Sequence, residues 1–156
     1  IFGKSQAYAS AAAAAIGLVF GSNLVKISEA LGHYEAPAGR LKLISGIKGS
    51  TVIDDTYNAS PLAMAEALNV MKRLNVKRKI AVLGDMLEIG KYTLEAHESI
   101  GRTAADVVDV LITVGMRAKF IAEAAIQGGM SKKSVFAFEK AAKPDYFCRK
   151  KYRKGI

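Results

Sequence analysis

The sequence is poor in the residue types that build disulfide frameworks and metal centres. Its 156 residues contain one cysteine, Cys148, two histidines, His33 and His97, and no tryptophan. A single cysteine excludes a disulfide framework and a cysteine metal site, so a reducing cytoplasm is the expected location. The two histidines are far apart in sequence and lack metal-ligand spacing, so we expect no metal site in this chain.

The sequence has little that could enter a membrane. The segment AYASAAAAAIGLVFG (7–21) is about 15 residues long, short of the ~20 residues that a spanning helix needs. Alanine is only weakly hydrophobic but favours helices strongly, so this segment predicts a buried helix. With 51% hydrophobic and 24% charged residues, the composition is that of a globular chain with a core.

The known phosphate-binding loops are missing as well. No G-x-G-x-x-G occurs, and GDMLEIGKY (84–92) departs from G-x-x-x-x-G-K-[ST] in its spacing and in its last residue. Asp85 and Glu88 in this segment would also repel phosphate. The chain therefore lacks a phosphate cradle for ATP.

The net charge of +9 favours anionic partners in general. Lys and Arg concentrate in residues 140–154, where Asp145 is the single acid. A basic end of this kind is more often a disordered tail than a nucleic-acid arm, so no nucleic-acid partner is expected. The chain begins at Ile1 without a methionine, and we expect a fragment that lacks its N-terminal part.

The pattern of apolar residues predicts two helices, a break, and then alternating strands and helices. Gly21 closes the first helix, EAPAGR (35–40) interrupts the pattern, and Ser60-Pro61 has the residue types of a helix start. The predicted helices are 5–20, 26–32, 61–73, 94–107 and 117–129, and the predicted strands are 40–44, 50–55, 79–85, 110–115 and 134–138.

This alternation is typical of an α/β fold with a doubly wound, mostly parallel sheet. KIAVLGD (79–85) is a continuous apolar run between polar ends, which favours a central strand covered on both faces. In such folds ligands bind at the carboxyl ends of the parallel strands. Three polar clusters are expected there: DDTYNASP (54–61), GDMLEIG (84–90) and VGMRA (114–118).

Two acids in the first of these segments, and one histidine outside them, are candidates for a site. A carboxylate at a strand end can accept hydrogen bonds from ribose hydroxyls or hold a cation, and Asp55 is better placed to reach outward than Asp54. The alternative is that both acids only form a turn. His97 lies on a predicted helix, where a surface or helix-packing role and a site role both stay open.

Several of these segments resemble the Mur ligases, in particular the branch that adds D-alanyl-D-alanine to the cell-wall precursor. VIDDTYNASPLAMAEAL (52–68) is similar to that branch's DDTYNANP signature, and AVLGDMLEIG (81–90) followed by HESIG (97–101) is similar to its GDMLELG and H-x-x-x-G stretches. APAGRLKLI (36–44) resembles the GR segment that opens the family's C-terminal domain. Together with DVLITVGMRAKFIAEAA (109–125), these stretches occur in the family's order.

The resemblance implies a Rossmann-like C-terminal domain over residues 36–156, preceded in residues 1–35 by the last helices of the central ATPase domain. It also implies that the last strand is missing, so that the domain is truncated at its C-terminal end. The P-loop of the family would then lie upstream of Ile1.

The resemblance further implies an ATP-dependent ligase of peptidoglycan synthesis, in which ATP phosphorylates a carboxylate and an amine attacks the acyl phosphate. The expected partners are ATP, Mg²⁺, UDP-N-acetylmuramoyl-tripeptide and D-alanyl-D-alanine, with the phosphate and metal sites mostly outside this chain. No catalytic residue is expected here, and the chain alone should be inactive.

Residue roles carry over from the matching motifs. Arg40 would lie against the base and ribose, and Asp55 would accept the ribose hydroxyls, with Asp54 as structural support. The expected cleft for the dipeptide is lined by the following candidates: Asp54, Tyr57, Asn58, Asp85 and His97. The alternative function is a stand-alone Rossmann-like nucleotide-binding or regulatory module without catalysis.

Overall fold

The computed structural model describes residues 3–140, and the chain divides into two compact units between Asn58 and Ala59. Cys148, nearly all of the basic segment 140–154 and the expected truncation lie outside the described residues. Between residues 3 and 140 no helix is both long and apolar enough to cross a membrane. The domain boundary expected between residues 35 and 36 stays a prediction.

The first unit begins with two helices. Helix α1 spans Lys4–Val19 and α2 spans Leu24–Gly32. The turn between them contains Gly21 at φ +80°, a backbone conformation that glycine adopts without steric cost. The side chain of Asn23 then accepts a hydrogen bond of 2.9 Å from the backbone N–H of Lys26 and starts α2. Both predicted helices and the glycine that ends the first one are confirmed. The expectation that the first helix is buried is wrong for the described residues, because α1 has no buried side chain in its unit.

A β-hairpin follows in the first unit, with β1 at Lys42–Ser45 antiparallel to β2 at Thr51–Asp54. The backbone N–H of Gly46 donates to the carbonyl of Ser50 at 2.8 Å and closes the turn. The prediction that the strand before the two acids is one of the parallel strands is wrong for the described residues, where β2 pairs only with β1. The turn between β1 and β2, residues 46–50, is too short for a parallel crossover, which needs a dozen or more residues, so these two strands pair antiparallel.

Helix α3, Pro61–Arg73, begins as its sequence predicts. The Ser60 hydroxyl oxygen accepts a hydrogen bond of 3.2 Å from the backbone N–H of Ala63, and Pro61 occupies the first turn, where its missing N–H costs nothing. The buried side chains of the helix are Met64, Leu68 and Val70, of which Met64 and Leu68 join the core cluster of the second unit.

The second unit contains a three-stranded parallel sheet. Its strands are β3 (Ile80–Gly84), β4 (Val110–Val114) and β5 (Val135–Phe138), in that spatial order. Helix α4 (Thr93–Ala105) connects the first two strands, and α5 (Lys119–Gln127) connects the last two. The predicted α/β class with parallel strands and helical crossovers is confirmed.

Strand β4, rather than β3, is the central strand of this described sheet. Residues 110–113 are buried on both faces, whereas the side chain of Val82 in β3 is 60% exposed. The expectation that 79–85 is a central strand is therefore wrong. Both strands are continuous apolar runs, and composition alone does not reveal which of them has a neighbour on each side.

The core of the second unit lies where α4 and α5 pack against the sheet. Gly101 allows the close approach of the two helices, because a Cβ there would overlap the carbonyl oxygen of Ile121 and lie 2.7 Å from the Cβ of Ala124. The buried apolar cluster includes the following side chains: Leu68, Met86, Ile100, Ala104, Leu111, Ala118, Ile121 and Ala125.

Candidate functional site

Two segments of the first unit are joined by backbone and carboxylate hydrogen bonds, and we call this arrangement the clasp: residues 39–41 against residues 54–57. The N–H of Gly39 donates to Oδ2 of Asp54 at 3.0 Å, and the carbonyl of Gly39 accepts from the N–H of Tyr57 at 3.2 Å. The N–H of Leu41 donates to Oδ1 of Asp55 at 3.1 Å. Four of the residues expected in a site, Arg40, Asp54, Asp55 and Tyr57, are thereby brought together.

The clasp requires glycine at position 39. Gly39 is buried and has φ +74°, which L side chains rarely adopt. A Cβ there would lie 2.9 Å from the backbone nitrogen of Tyr57. The sequence presents Gly39 only as a break in the pattern, and its second role, close approach of two chain segments, has no local signature.

Asp54 forms the turn after β2. Its Oδ1 accepts from the hydroxyl of Thr56 at 2.7 Å and from the backbone N–H of Thr56 at 3.2 Å, while Oδ2 binds Gly39. The Thr56 hydroxyl is the main cause that lowers the pKa of Asp54 below its ordinary 3.8, and the Gly39 N–H adds to it. These hydrogen bonds agree with the alternative from the sequence analysis in which Asp54 forms a turn.

The adjacent carboxylates of Asp54 and Asp55 bind different donors. Asp54 meets the N–H of Gly39, while Asp55 meets that of Leu41. Asp55 is half-buried. Each N–H offsets part of the repulsion between the two negative charges, which explains how two acids can follow one strand.

Arg40 lies between the two anchored residues of its segment, and its side chain is exposed. The guanidinium carbon is 3.8 Å from the centroid of the Tyr57 ring, which is a cation–π contact. The carbonyl of Arg40 accepts a hydrogen bond of 2.9 Å from the side-chain amide of Gln6, which joins α1 to the clasp. Sequence reasoning missed this role of Gln6, because no local pattern indicates a contact between residues this far apart.

A cavity of about 260 Å³ adjoins the clasp within the first unit. Glu35 and Lys42 form an ion pair of 3.8 Å at its wall. Its lining residues are Gln6, Tyr34, Glu35, Ala36, Leu41, Lys42 and Leu43.

In the second unit, Asp85 binds the start of the segment that leads into α5. Its Oδ1 accepts from the backbone N–H groups of Arg117 at 2.9 Å and Ala118 at 2.6 Å. Gly115 has φ +127°, and a Cβ on it would overlap the Asp85 carboxylate. The carboxyl ends of β3 and β4 are thus joined, so GDMLEIG and VGMRA do meet at one edge of the sheet, as expected.

His97 is fully buried in the same unit. Its Nε2 accepts from the backbone N–H of Met86 at 3.1 Å, and its Nδ1 lies 2.6 Å from the carbonyl of Thr93. A neutral ring with its proton on Nδ1 satisfies both contacts. A surface position is therefore wrong, and the ring holds the loop after β3 against α4.

The remaining candidate, Asn58, is exposed at the end of the first unit. Within residues 3–140, no group of three or more His, Cys, Asp or Glu side chains could hold a metal ion. The structure therefore places the candidate residues in two groups, the clasp with Asn58 in one unit and Asp85 with His97 in the other.

Comparison with known proteins identifies one family. The family described as "Mur ligase, glutamate ligase domain" matches residues 39–145. A UDP-N-acetylmuramoyl-tripeptide–D-alanyl-D-alanine ligase of Bacillus subtilis is 35% identical over 129 residues, which are 81% of this chain and 28% of the relative. The ligase of the same name from Escherichia coli is 32% identical over 72% of this chain and 25% of its own length.

Solved structures agree with these relatives. A crystal structure of MurF from Acinetobacter baumannii matches with a TM-score of 0.79 and 30% identity, over 94% of this chain and 32% of that one. The MurF ligase of Thermotoga maritima in complex with ADP matches with a TM-score of 0.69 and 25% identity, over 90% of this chain and 35% of its own. The chain spans about a quarter to a third of the length of the proteins it matches.

Proposed function

The chain belongs to the Mur ligase family, and we propose that it is the C-terminal part of a ligase that adds D-alanyl-D-alanine to UDP-N-acetylmuramoyl-tripeptide in peptidoglycan synthesis. The names of the similar curated proteins support this substrate pair. In the proposed reaction ATP phosphorylates the tripeptide carboxylate, and the amine of the dipeptide attacks the acyl phosphate and releases phosphate. The expected bacterial cytoplasmic location stays a prediction.

The observation that carries the proposal for this chain is the clasp. Its two joined segments bring a guanidinium and a carboxylate together: Arg40 precedes Leu41, whose N–H binds the carboxylate of Asp55. A planar guanidinium stacks on a base, and a carboxylate accepts hydrogen bonds from vicinal hydroxyls. We propose that Arg40 contacts the base and ribose of ATP and that Asp55 accepts the ribose hydroxyls.

The phosphates and Mg²⁺ are proposed to bind outside this chain. The sequence has no G-x-x-x-x-G-K-[ST] loop, and residues 3–140 contain no cluster of three metal ligands. The chain alone should therefore bind the nucleoside end weakly and turn over no ATP.

The loop after β2 in the first unit and the loop after β3 in the second are proposed, each on its own, as candidates for contacts with the dipeptide. Asp54, Asp85 and His97 would act there by holding the loops, because their polar atoms bind backbone groups. Tyr57 and Asn58 are exposed and could contact a ligand directly.

Residues 1–35 are proposed to be the last helices of the central ATPase domain. The 16 residues of α1 include no buried side chain. Its C-terminal end and the start of α2 expose four large apolar side chains: Val19, Phe20, Leu24 and Val25. Apolar helix surfaces of this kind are expected to be covered by other protein.

The test uses the complete ligase that contains this chain, with variants Asp55→Ala and Arg40→Ala and an exposed control, Arg73→Ala. A lost ribose hydrogen bond costs about 1–3 kcal/mol, so the KM for ATP should rise roughly 5- to 150-fold in Asp55→Ala. Wild type should prefer ATP over 2′,3′-dideoxy-ATP, and Asp55→Ala should lose this preference. An unchanged KM and preference would mean that Asp55 only shapes the turn.

The alternative of a stand-alone binding module is tested with the chain itself. We expect no phosphate release from ATP with or without D-alanyl-D-alanine. Measurable turnover would contradict the proposal that this chain is an inactive part of a ligase. Tight ADP binding by the chain alone, without ligase activity of the complete gene product, would favour the stand-alone module.

A further inference from the structure

Arg40 and Tyr57 form an exposed stacked pair on the clasp. The guanidinium carbon lies 3.8 Å from the ring centroid, and the Tyr57 side chain is 69% exposed. Both residues are exposed despite the contact, so the pair buries little apolar surface and contributes little to the core. Its geometry is nevertheless tightly determined by the backbone.

The backbone bonds on both sides of Arg40 set this geometry. The residue before it, Gly39, accepts a hydrogen bond from the N–H of Tyr57 at 3.2 Å, and the residue after it, Leu41, donates to Asp55 at 3.1 Å. The backbone N–H of Tyr57 is therefore hydrogen-bonded to Gly39, the residue next to Arg40. This places the two side chains opposite each other rather than leaving their contact to chance.

The guanidinium remains accessible in this arrangement. A planar group has two faces, and Tyr57 lies against one of them while the Arg40 residue as a whole is exposed. No carboxylate within residues 3–140 forms an ion pair with Arg40 that would turn its plane away. An arginine side chain without such a contact samples many rotamers, so a ring beneath it restricts the plane to one orientation.

We propose that Tyr57 is a positioning residue that holds the Arg40 guanidinium flat as a platform for a purine base, in a stack of ring, guanidinium and base. The inference rests on the proposed nucleotide site at Arg40. It assigns Tyr57 to the nucleotide rather than to the dipeptide. The preferred ligand is a purine nucleotide, because a larger ring system overlaps more of the guanidinium plane.

The test is a double-mutant cycle in the complete ligase, with ADP affinity measured by titration calorimetry. Tyr57→Leu should weaken ADP binding roughly 2- to 5-fold, the range of an exposed cation–π contact, and Arg40→Ala should weaken it about 5-fold or more. Tyr57→Leu should cost nothing further in the Arg40→Ala background, because the ring acts through the guanidinium. Tyr57→Phe keeps the ring and should bind ADP like the wild type.

Tyr92→Leu is the matched control. Tyr92 is 55% exposed and also lies beneath a cation, with the Lys91 ammonium 5.0 Å from its ring centroid. It lies outside the clasp, so its replacement should leave ADP affinity unchanged. Equal unfolding midpoints of Tyr57→Leu and Tyr57→Phe would show that a change in affinity does not come from lost folding.

Each other outcome has a distinct meaning. If Arg40→Ala weakens ADP but Tyr57→Leu does not, the positioning role is wrong and the nucleotide site stands. If the two losses add, Tyr57 contacts the ligand independently, which also overturns the inference. If only the KM for the dipeptide rises in Tyr57→Leu, the residue belongs to the dipeptide cleft. If Arg40→Ala has no effect on ADP affinity, the proposed nucleotide contact at Arg40 is wrong, and the role inferred for Tyr57 is wrong with it.

Discussion

The backbone N–H of Met86 donates a hydrogen bond of 3.1 Å to Nε2 of His97, and neither partner is exposed to water. The bond crosses from the loop after β3 to the first turns of α4. The opposite ring nitrogen contacts the carbonyl of Thr93 at 2.6 Å. One side chain therefore satisfies two backbone groups at the carboxyl edge of the parallel sheet.

Replacement of His97 should destabilise the second unit strongly. His97→Ala leaves the buried N–H of Met86 without an acceptor and opens a cavity, so we expect a loss of about 3 kcal/mol in unfolding free energy. Urea denaturation measures this loss. His33→Ala is the control, because His33 is exposed and should change stability by less than about 0.5 kcal/mol. Equal effects of the two variants would refute the role of the His97 ring.

Gly115→Ala should cost more than backbone strain alone. The new Cβ would overlap the Asp85 carboxylate and displace it from the N–H groups of Arg117 and Ala118. We expect a loss of about 3 kcal/mol, against about 1–2 kcal/mol for Gly129→Ala, which has φ +105° and nothing within 4 Å of its Cβ.

The two contributions can be separated by combining variants. In an Asp85→Ala background the overlap disappears, so the additional cost of Gly115→Ala should fall to that of Gly129→Ala. Chemical denaturation of the four proteins provides the comparison. An unchanged additional cost would mean that the strain at Gly115 is independent of Asp85.

Gly101→Ala should separate α4 from α5. Its Cβ would overlap the carbonyl oxygen of Ile121, which is backbone and cannot rotate away, so we expect a loss of about 2–3 kcal/mol. Gly32→Ala is the matched control in a helix, with no atom within 4 Å, and it should be neutral or slightly stabilising. Thermal unfolding distinguishes the two, and a neutral Gly101→Ala would contradict the close contact.

The acid dependence of the clasp should follow Asp54. Its pKa in the folded protein is below the ordinary 3.8, so the unfolded chain takes up the proton first as the pH falls. The stabilising contribution is therefore complete above about pH 3.8 and is lost as the pH falls through the lowered pKa. An NMR titration of the Asp54 carboxyl carbon measures the pKa directly.

Thr56→Val provides the matched comparison for this titration. The variant loses the hydroxyl that is the largest cause of the shift but keeps the backbone N–H of residue 56. We expect the pKa of Asp54 to rise toward its ordinary value in this variant. The same pKa in both proteins would mean that the Thr56 hydroxyl does not bind the carboxylate in solution.

Local signals in the sequence predicted local structure well. Ser60 and Pro61 start α3 because a side-chain acceptor and a proline suit the first turn, and neither depends on distant residues. The position of β2 outside the described parallel sheet and the edge position of β3 depend on which strands meet in space. Adjacent residues do not encode that choice, so both were mispredicted.

In the candidate site, too, the sequence indicated residue types but not the contacts between distant segments. The motifs drew attention to Asp54, Asp85 and His97, because their residue types can bind ligands. The structure shows each of them bonded to a backbone N–H from another segment, 11 to 33 positions away in sequence. Such partners are set by the fold, so residue type alone could not distinguish a ligand-binding group from a brace.

The spacing of the two donors in the clasp makes the length of its segments as important as their composition. Gly39 and Leu41 present their N–H groups to Asp54 and Asp55 only because one residue, Arg40, lies between them. An inserted or deleted residue in 39–41 would shift this register and leave one carboxylate without its donor. The hydrogen bonds of the clasp should therefore survive exchanges at position 40 far better than any change in the number of residues.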